Sequence, residues 1–141
     1  AEGWTEYSDH CYKVSGNKVS WPEANKQCKR LGANLASVKD AAENKVIANL
    51  VSTAPEGKLP LVWIGLRRDA AGQLKWTDGS RVTYTNWAPG EPSNIPLRRE
   101  DCAGMYSKSG RNWFWGKARE RGEWNTELCN GDFPYVCKKL K

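Results

Sequence analysis

Five cysteines in a chain of 141 residues constrain this fold more than any other feature: Cys11, Cys28, Cys102, Cys129 and Cys137. No two form a CxxC pair, and His10 is the single histidine, so the pattern argues against a structural zinc site. Four cysteines joined in two bridges suit a domain that matures in an oxidising, extracellular compartment. The fifth thiol is then left over.

The rest of the composition fits one soluble globule. Hydrophobic residues make up 39% and charged residues 27%, and 141 residues bury one core but hardly two. The expectation is a single domain over residues 1–141, with no linker, low-complexity run or internal repeat. No apolar run reaches the roughly 18 residues of a membrane helix, so membrane insertion is not expected. No signal-peptide pattern opens the chain, which reads as mature or trimmed. Eight tryptophans are many for this length; most are expected in the core, although exposed rings can also stack on sugars. The formal charge of +6 favours acidic partners, and for a secreted chain sulfated glycans come first among them.

Local patterns sketch an α+β chain. Ser20-Trp21-Pro22-Glu23 reads as a capping box, with Trp21, Ala24, Cys28 and Leu31 on one face and Gly32 as the stop. Asp40 and Glu43 repeat the cap ahead of a stripe of Val46, Ile47, Leu50 and Val51. Cys11–Val14 and Lys18-Val19 read as strands meeting at Gly16-Asn17. Leu61–Leu66 is a continuous apolar strand expected to be buried on both faces. From Arg67 to Pro96 the chain is rich in Gly, Asp, Asn, Thr and Pro, which predicts a long functional loop, kept ordered by Trp76 and Trp87. Short strands are expected near Ala103–Tyr106 and Tyr135–Lys138.

An ordered series of residues then resembles the C-type lectin-like domain family over nearly the whole chain. The series runs through Gly3-Trp4, Cys11-Tyr12, Trp21-Pro22-Glu23-Ala24 with Cys28, and Leu35-Ala36-Ser37-Val38. It continues with Trp63-Ile64-Gly65-Leu66, Trp76-Thr77-Asp78-Gly79-Ser80 and Asn86-Trp87. Glu91-Pro92-Ser93, Glu100-Asp101-Cys102, Trp124-Asn125 and Tyr135-Val136-Cys137 complete it. The resemblance implies two helices, short antiparallel strands and a large ordered long-loop region. It implies Cys28–Cys137 and Cys102–Cys129 bridges. The first would close about 110 residues and restrict the unfolded chain by about 4–5 kcal/mol in the entropy description. Longer members pair the Cys11 position with a cysteine ahead of Gly-Trp. This sequence opens Ala1-Glu2-Gly3-Trp4, so either the chain is trimmed, or Cys11 is free or bridges another chain.

The resemblance also implies a calcium ion that is read together with a sugar. Calcium takes six to eight oxygens at about 2.3–2.6 Å, and in sugar-binding relatives two neighbouring sugar hydroxyls join its shell. Here Glu91 matches the first ligand, Pro92 the cis proline, and Ser93 stands where EPN has Asn. Glu100 matches the next carboxylate after a run one residue longer than usual. Asn125 matches the Asn of the WND motif, and Thr126 replaces its Asp. The implied metal set is Glu91, Ser93, Glu100, Asn125 and Thr126, and the implied carbohydrate set is Glu91, Ser93, Glu100 and Asn125. Loss of the Asp removes one charge, so a weakened mannose-type calcium site is expected. Asn94 or Glu127 could stand in, and a second ion site near Asp69, Asn94 and Asp101 is poorer still, with Ala71 in place of a carboxylate. The alternative is a protein-interaction domain with no working calcium site.

One departure is a longer crossing from Met105 to Trp124. Residues 107–122 carry Lys108, Arg111, Lys117, Arg119 and Arg121 against Glu120, most of the chain's excess charge. Trp113-Phe114-Trp115 lies within it; these rings anchor the loop or face a ligand. Arg111, Lys117, Arg119 and Arg121 are the candidate surface for a sulfated polysaccharide, since guanidinium pairs bidentately with sulfate. Glycans or glycoproteins are thus the expected partners. Disulfides place the chain outside the cell and argue against nucleic acid. Enzymatic chemistry finds little footing: His10 stands alone, and Cys11 has no base partner in the pattern.

Overall fold

The computed structural model describes residues 3–55, 57, 59–93, 100–111 and 118–141, with Arg111 described in its backbone only. In chain order the elements are β1 Thr5–Tyr7, β2 His10–Val14, α1 Trp21–Arg30, β3 Asn34–Leu35, α2 Ala41–Val51 and β4 Leu61–Arg68. They continue as β5 Leu74–Trp76, β6 Cys102–Tyr106, β7 Gly110–Arg111, β8 Ala118–Arg119, β9 Trp124–Glu127 and β10 Val136–Leu140. One antiparallel sheet has the order β1-β2-β10-β3, and the other β5-β4-β6-β9, while β7 and β8 form a ribbon. This is the α+β arrangement that the resemblance implies.

Both helices begin where the caps predict. Ser20 Oγ accepts from Glu23 N at 3.4 Å, and Asp40 Oδ1 from Glu43 N at 2.8 Å. The reciprocal arms differ from the expected boxes. Glu23 runs along its helix to Gln27 (3.1 Å) and Arg30 (3.9 Å), and Glu43 Oε1 accepts from Lys39 N at 2.8 Å. The first helix stops at Arg30 with Gly32 at φ 74°, so Leu31 leaves the helical register and is 47% exposed, not buried. On α2 the buried set is Glu43, Asn44, Ile47, Ala48 and Val51, whereas Val46 and Leu50 are only half-buried.

The hairpin expected at Gly16-Asn17 does not form. Ser15 N donates to Tyr135 O at 2.8 Å, and Val19 exchanges two 3.0 Å hydrogen bonds with Phe133. The backbone groups of residues 15–19 are therefore drawn to the strand approaching β10. The actual hairpin joins β1 to β2 through Ser8 at φ 54°.

Strand β4 is buried from Leu61 to Leu66, as a continuous apolar run should be in mid-sheet. Gly65 is required there, because a Cβ would come within 2.5 Å of Leu35 O. The long loop region holds one strand the composition hid, β5, which pairs Trp76 with Leu66. One hydrophobic cluster sits around Ile47, Val62, Ile64, Met105, Trp124 and Val136. A second surrounds Trp21, Cys28, Leu35, Trp63, Phe133 and Cys137. Trp21, Trp63, Trp76 and Trp124 are buried, so the core claims most of the described tryptophans.

The bridges pair Cys28 with Cys137 and Cys102 with Cys129, as the resemblance implies. The first ties α1 to β10, and the second ties the start of β6 to the turn after β9. Cys11 is a buried free thiol on β2. A polar chain crosses the interior: Lys138 Nζ lies 2.6 Å from Glu43 Oε2, which also accepts from Tyr12 Oη, and 3.1 Å from Ser37 Oγ. Among the described residues no helix is long and apolar enough to cross a membrane.

Candidate functional site

The site is assembled by β9 and the loop beside it. Trp124 is wholly buried and meets Trp76, Tyr84 and Trp87 edge to face at 5.5, 5.9 and 5.6 Å. Its indole N–H donates to Asn44 Oδ1 at 2.8 Å, and Asn44 Nδ2 donates to Gly122 O at 3.1 Å. A buried amide on α2 thus fixes the entry to β9. Trp124 N donates to Asn86 O (2.8 Å), Ala88 N to Trp124 O (2.9 Å), and Glu91 N to Ala88 O (3.0 Å). These bonds lay the loop along β9 and deliver Glu91 beside Thr126.

The Glu91–Pro92 peptide is cis. Glu91 Oε1 accepts from Thr126 Oγ1 at 2.7 Å, from Thr126 N at 3.0 Å and from Ser93 N at 3.0 Å. Ser93 N is shared with Thr126 Oγ1 at 2.9 Å. Arg68 supports the other side, with one guanidinium N–H on Ser93 O at 2.7 Å and Nε 4.0 Å from Asp101. A carboxylate that accepts several N–H and O–H bonds is held in one orientation.

Of the expected ligands, Glu91, Ser93 and Thr126 are joined directly. Asn125 is buried on β9 beside Thr126, in register with Gly104 of β6. Glu100 is half-buried on the segment entering β6. Glu127 Oε1 accepts from Leu128 N at 3.2 Å. Of the poorer second site, Asp69 is engaged in a turn: its Oδ1 accepts from Ala71 N and Gln73 N, both at 2.9 Å, and Oδ2 pairs with Lys75 at 3.1 Å. Those bonds hold the Asp69 carboxyl below its ordinary range, the Gln73 amide most of all. Asn94 lies outside the described residues.

The oxygen-rich donors suit a hard cation in kind but not in number. Calcium needs six to eight oxygens and gains most from carboxylates. Glu91 Oε1 already accepts three protein donors, one from the hydroxyl standing where the family places an Asp. Among the described residues, no three of His, Cys, Asp and Glu stand close enough to hold a metal. Among the described residues, Glu91, Ser93, Glu100, Asn125 and Thr126 offer two carboxylates and three neutral oxygen-bearing side chains, fewer than the ligands of a full calcium shell.

The basic ribbon borders this site through Tyr106. Arg119 lies over the Tyr106 ring at 5.1 Å. Burial raises the Tyr106 hydroxyl above its ordinary pKa; Arg119 opposes the rise, and Glu91, Glu127 and Glu123 add to it. Arg121 N donates to Ser109 Oγ at 3.0 Å, and its guanidinium reaches Asn49 Oδ1 at 3.4 Å. Arg111 is placed by its backbone, paired with Ala118. Lys117 and Trp113-Phe114-Trp115 lie outside the described residues. Sequence reasoning missed Asn44 and Arg68, which orient the site without belonging to its motifs. The one hint was Asn44's place on the buried side of α2.

The family model described as "Lectin C-type domain" matches residues 17–139. The chain is 35% identical over 138 residues to human (Homo sapiens) C-type mannose receptor 2, covering 96% of this chain and 8% of the receptor. It is 37% identical over 143 residues to an alpha-N-acetylgalactosamine-specific lectin of Patiria pectinifera, covering 96% of this chain and 77% of that lectin. The solved structure of the C-type lectin CEL-I from Cucumaria echinata matches with a TM-score of 0.82 at 28% identity, covering 100% of this chain and 98% of that one.

Proposed function

The chain belongs to the C-type lectin domain family, a family of carbohydrate-binding and non-enzymatic domains, and from that premise we propose that residues 1–141 act as one extracellular glycan-binding domain with a weakened calcium site. The observation that carries this reading is the triple engagement of Glu91 Oε1 by Ser93 N and by the backbone and hydroxyl of Thr126. Protein donors hold the cis-proline loop against β9, a task the family shares with an ion. The sugar-facing set is Glu91, Ser93, Glu100 and Asn125, and its hydrogen bonds read neighbouring hydroxyls of a mannose-type ring. Calcium adds little, because Thr126 brings a hydroxyl and no charge. Arg119 and Arg121, with Arg111 and Lys117 from the same crossing, supply a basic surface for sulfated glycans. A relative that binds N-acetylgalactosamine supports the carbohydrate class without fixing the sugar. Secretion is supported by the two disulfides.

Glycan arrays probed with calcium, with EDTA and with high salt test the reading. Neutral-glycan binding is expected to persist in EDTA within about threefold, a difference of under 1 kcal/mol. Sulfated-glycan binding is expected to fall steeply with salt, because exposed charges are screened beyond about 8 Å. Arg119→Ala with Arg121→Ala should elute earlier from heparin. Complete loss of neutral binding in EDTA would refute the weakened site, and silence under all conditions would favour a protein partner.

A further inference from the structure

Arg68 ends β4 and reaches the Glu91 loop, although it belongs to none of the motifs that mark the site. Three of its groups meet oxygens there. Its backbone N–H donates to Asp101 O at 2.8 Å, its guanidinium Nη2 donates to Ser93 O at 2.7 Å, and Nε lies 4.0 Å from Asp101 Oδ1. Ser93 follows the cis proline and Asp101 leads into β6, so one residue ties both to the end of β4. The side chains of Arg68 and Asp101 are only 17% and 25% exposed, which leaves their attraction weakly screened by salt.

Ser93 is thereby held at both of its backbone polar groups. Its carbonyl takes the guanidinium, and its N–H donates to Glu91 Oε1 and Thr126 Oγ1 at 3.0 and 2.9 Å. A line of hydrogen bonds runs from Arg68 on β4, through Ser93, to Glu91 and to Thr126 on β9. A carbonyl and a carboxylate turned to one positive group are the surroundings of a bound hard cation. Here the charge is part of the chain. A guanidinium stays protonated at any working pH, and no chelator removes it.

We propose that Arg68 is the resident cation of the glycan loop, a positioning residue whose fixed charge seats Ser93 and Glu91 for a neutral sugar without the help of a metal ion. This deepens the glycan-binding reading of the Glu91 site and rests on it. Arg68 acts through Ser93 and Asp101, not on the sugar. Its fork matters, because Nη2 and Nε face different partners, and a lysine ammonium is a single point of charge.

The test measures binding of mannosylated albumin in EDTA by the parent, Arg68→Gln, Arg68→Lys and Arg68→Ala, together with the amide resonances of Ser93 and Thr126. Arg68→Gln is expected to bind about tenfold or more weakly, the loss of one charge-assisted hydrogen bond, with both resonances displaced. Arg68→Lys should fall between the two. Millimolar methylguanidinium should return Arg68→Ala toward the parent in affinity and in both resonances. Arg67→Gln serves as the control, since that guanidinium lies over the Trp21 ring at 5.2 Å, and it should bind as the parent does. Urea unfolding separates a lost fold from an unseated loop; should Arg68→Gln and Arg68→Ala not fold, Arg68→Lys against the parent carries the comparison. Variants that lose stability yet bind with parental affinity, unmoved Ser93 and Thr126 resonances, or no recovery with methylguanidinium would overturn the proposal. A parent that fails to bind mannosylated albumin while the resonances move as expected would instead overturn the glycan reading and leave the seating role of Arg68 standing.

Discussion

Replacing Thr126 by valine isolates the bond on which the site's architecture rests. The residue is 1% exposed, and valine keeps its shape while removing the hydroxyl. The loss is one hydrogen bond to a carboxylate, Thr126 Oγ1 to Glu91 at 2.7 Å, worth about 1.5–3 kcal/mol. Ser93 N also loses its hydroxyl acceptor but keeps Glu91 Oε1 at 3.0 Å, so no orphaned amide adds to the cost. A destabilisation of about 2 kcal/mol is expected, and for a domain of this size a Tm lower by about 6–10 °C. The assay is calorimetric or urea unfolding in EDTA with the disulfides intact, alongside Thr126→Ser, which retains the hydroxyl and should lose less than half as much. A Thr126→Val protein within about 0.5 kcal/mol of the parent, the range of ordinary surface changes, would refute the idea that this hydroxyl secures the loop.

Two further substitutions probe the scaffold behind the site. Gly65→Ala pushes a Cβ to 2.5 Å from Leu35 O, a backbone atom that cannot swing aside, and should cost about 3 kcal/mol or more by urea unfolding; a neutral outcome would mean β3 and β4 separate freely. Lys138→Met leaves Glu43 without its 2.6 Å partner and should cost about 3–5 kcal/mol, whereas adding Glu43→Gln should recover a large part of it. Equal losses in the single and double variants would show that the two side chains do not act as a pair.

Much of this architecture was legible because its determinants are local. Ser20 and Asp40 cap helices through bonds three residues long, and Leu61–Leu66 is apolar without a break because β4 lies mid-sheet. The chain gives no such warning where distant partners decide. Residues 15–19 pair with 133–135 and form no hairpin of their own, because that partner lies more than a hundred residues away. Glu43, Asn44 and Lys138 look like surface residues but are buried, since each finds a polar partner across the core. At the site, the structure brings Glu91, Ser93 and Thr126 of the family pattern into hydrogen-bond contact, with Asn125 next to Thr126 on β9. The pattern could not show that Thr126 turns its hydroxyl onto Glu91, nor that Arg68 reaches Ser93, because both bonds depend on how the loop lies against β9 and β4.

Calcium titration of the melting temperature, for the parent and for Thr126→Asp, bears most directly on the central claim that a hydroxyl here does the work of a charge and an ion. The parent should gain no more than about 0.4 kcal/mol, roughly 1–2 °C, at a calcium concentration near 1 mM, as a millimolar site would. Thr126→Asp should melt lower than the parent in EDTA, with two carboxylates facing each other, and recover by several degrees as calcium is added. A parent protein that gains many degrees at micromolar calcium, or a Thr126→Asp protein indifferent to the ion, would contradict it.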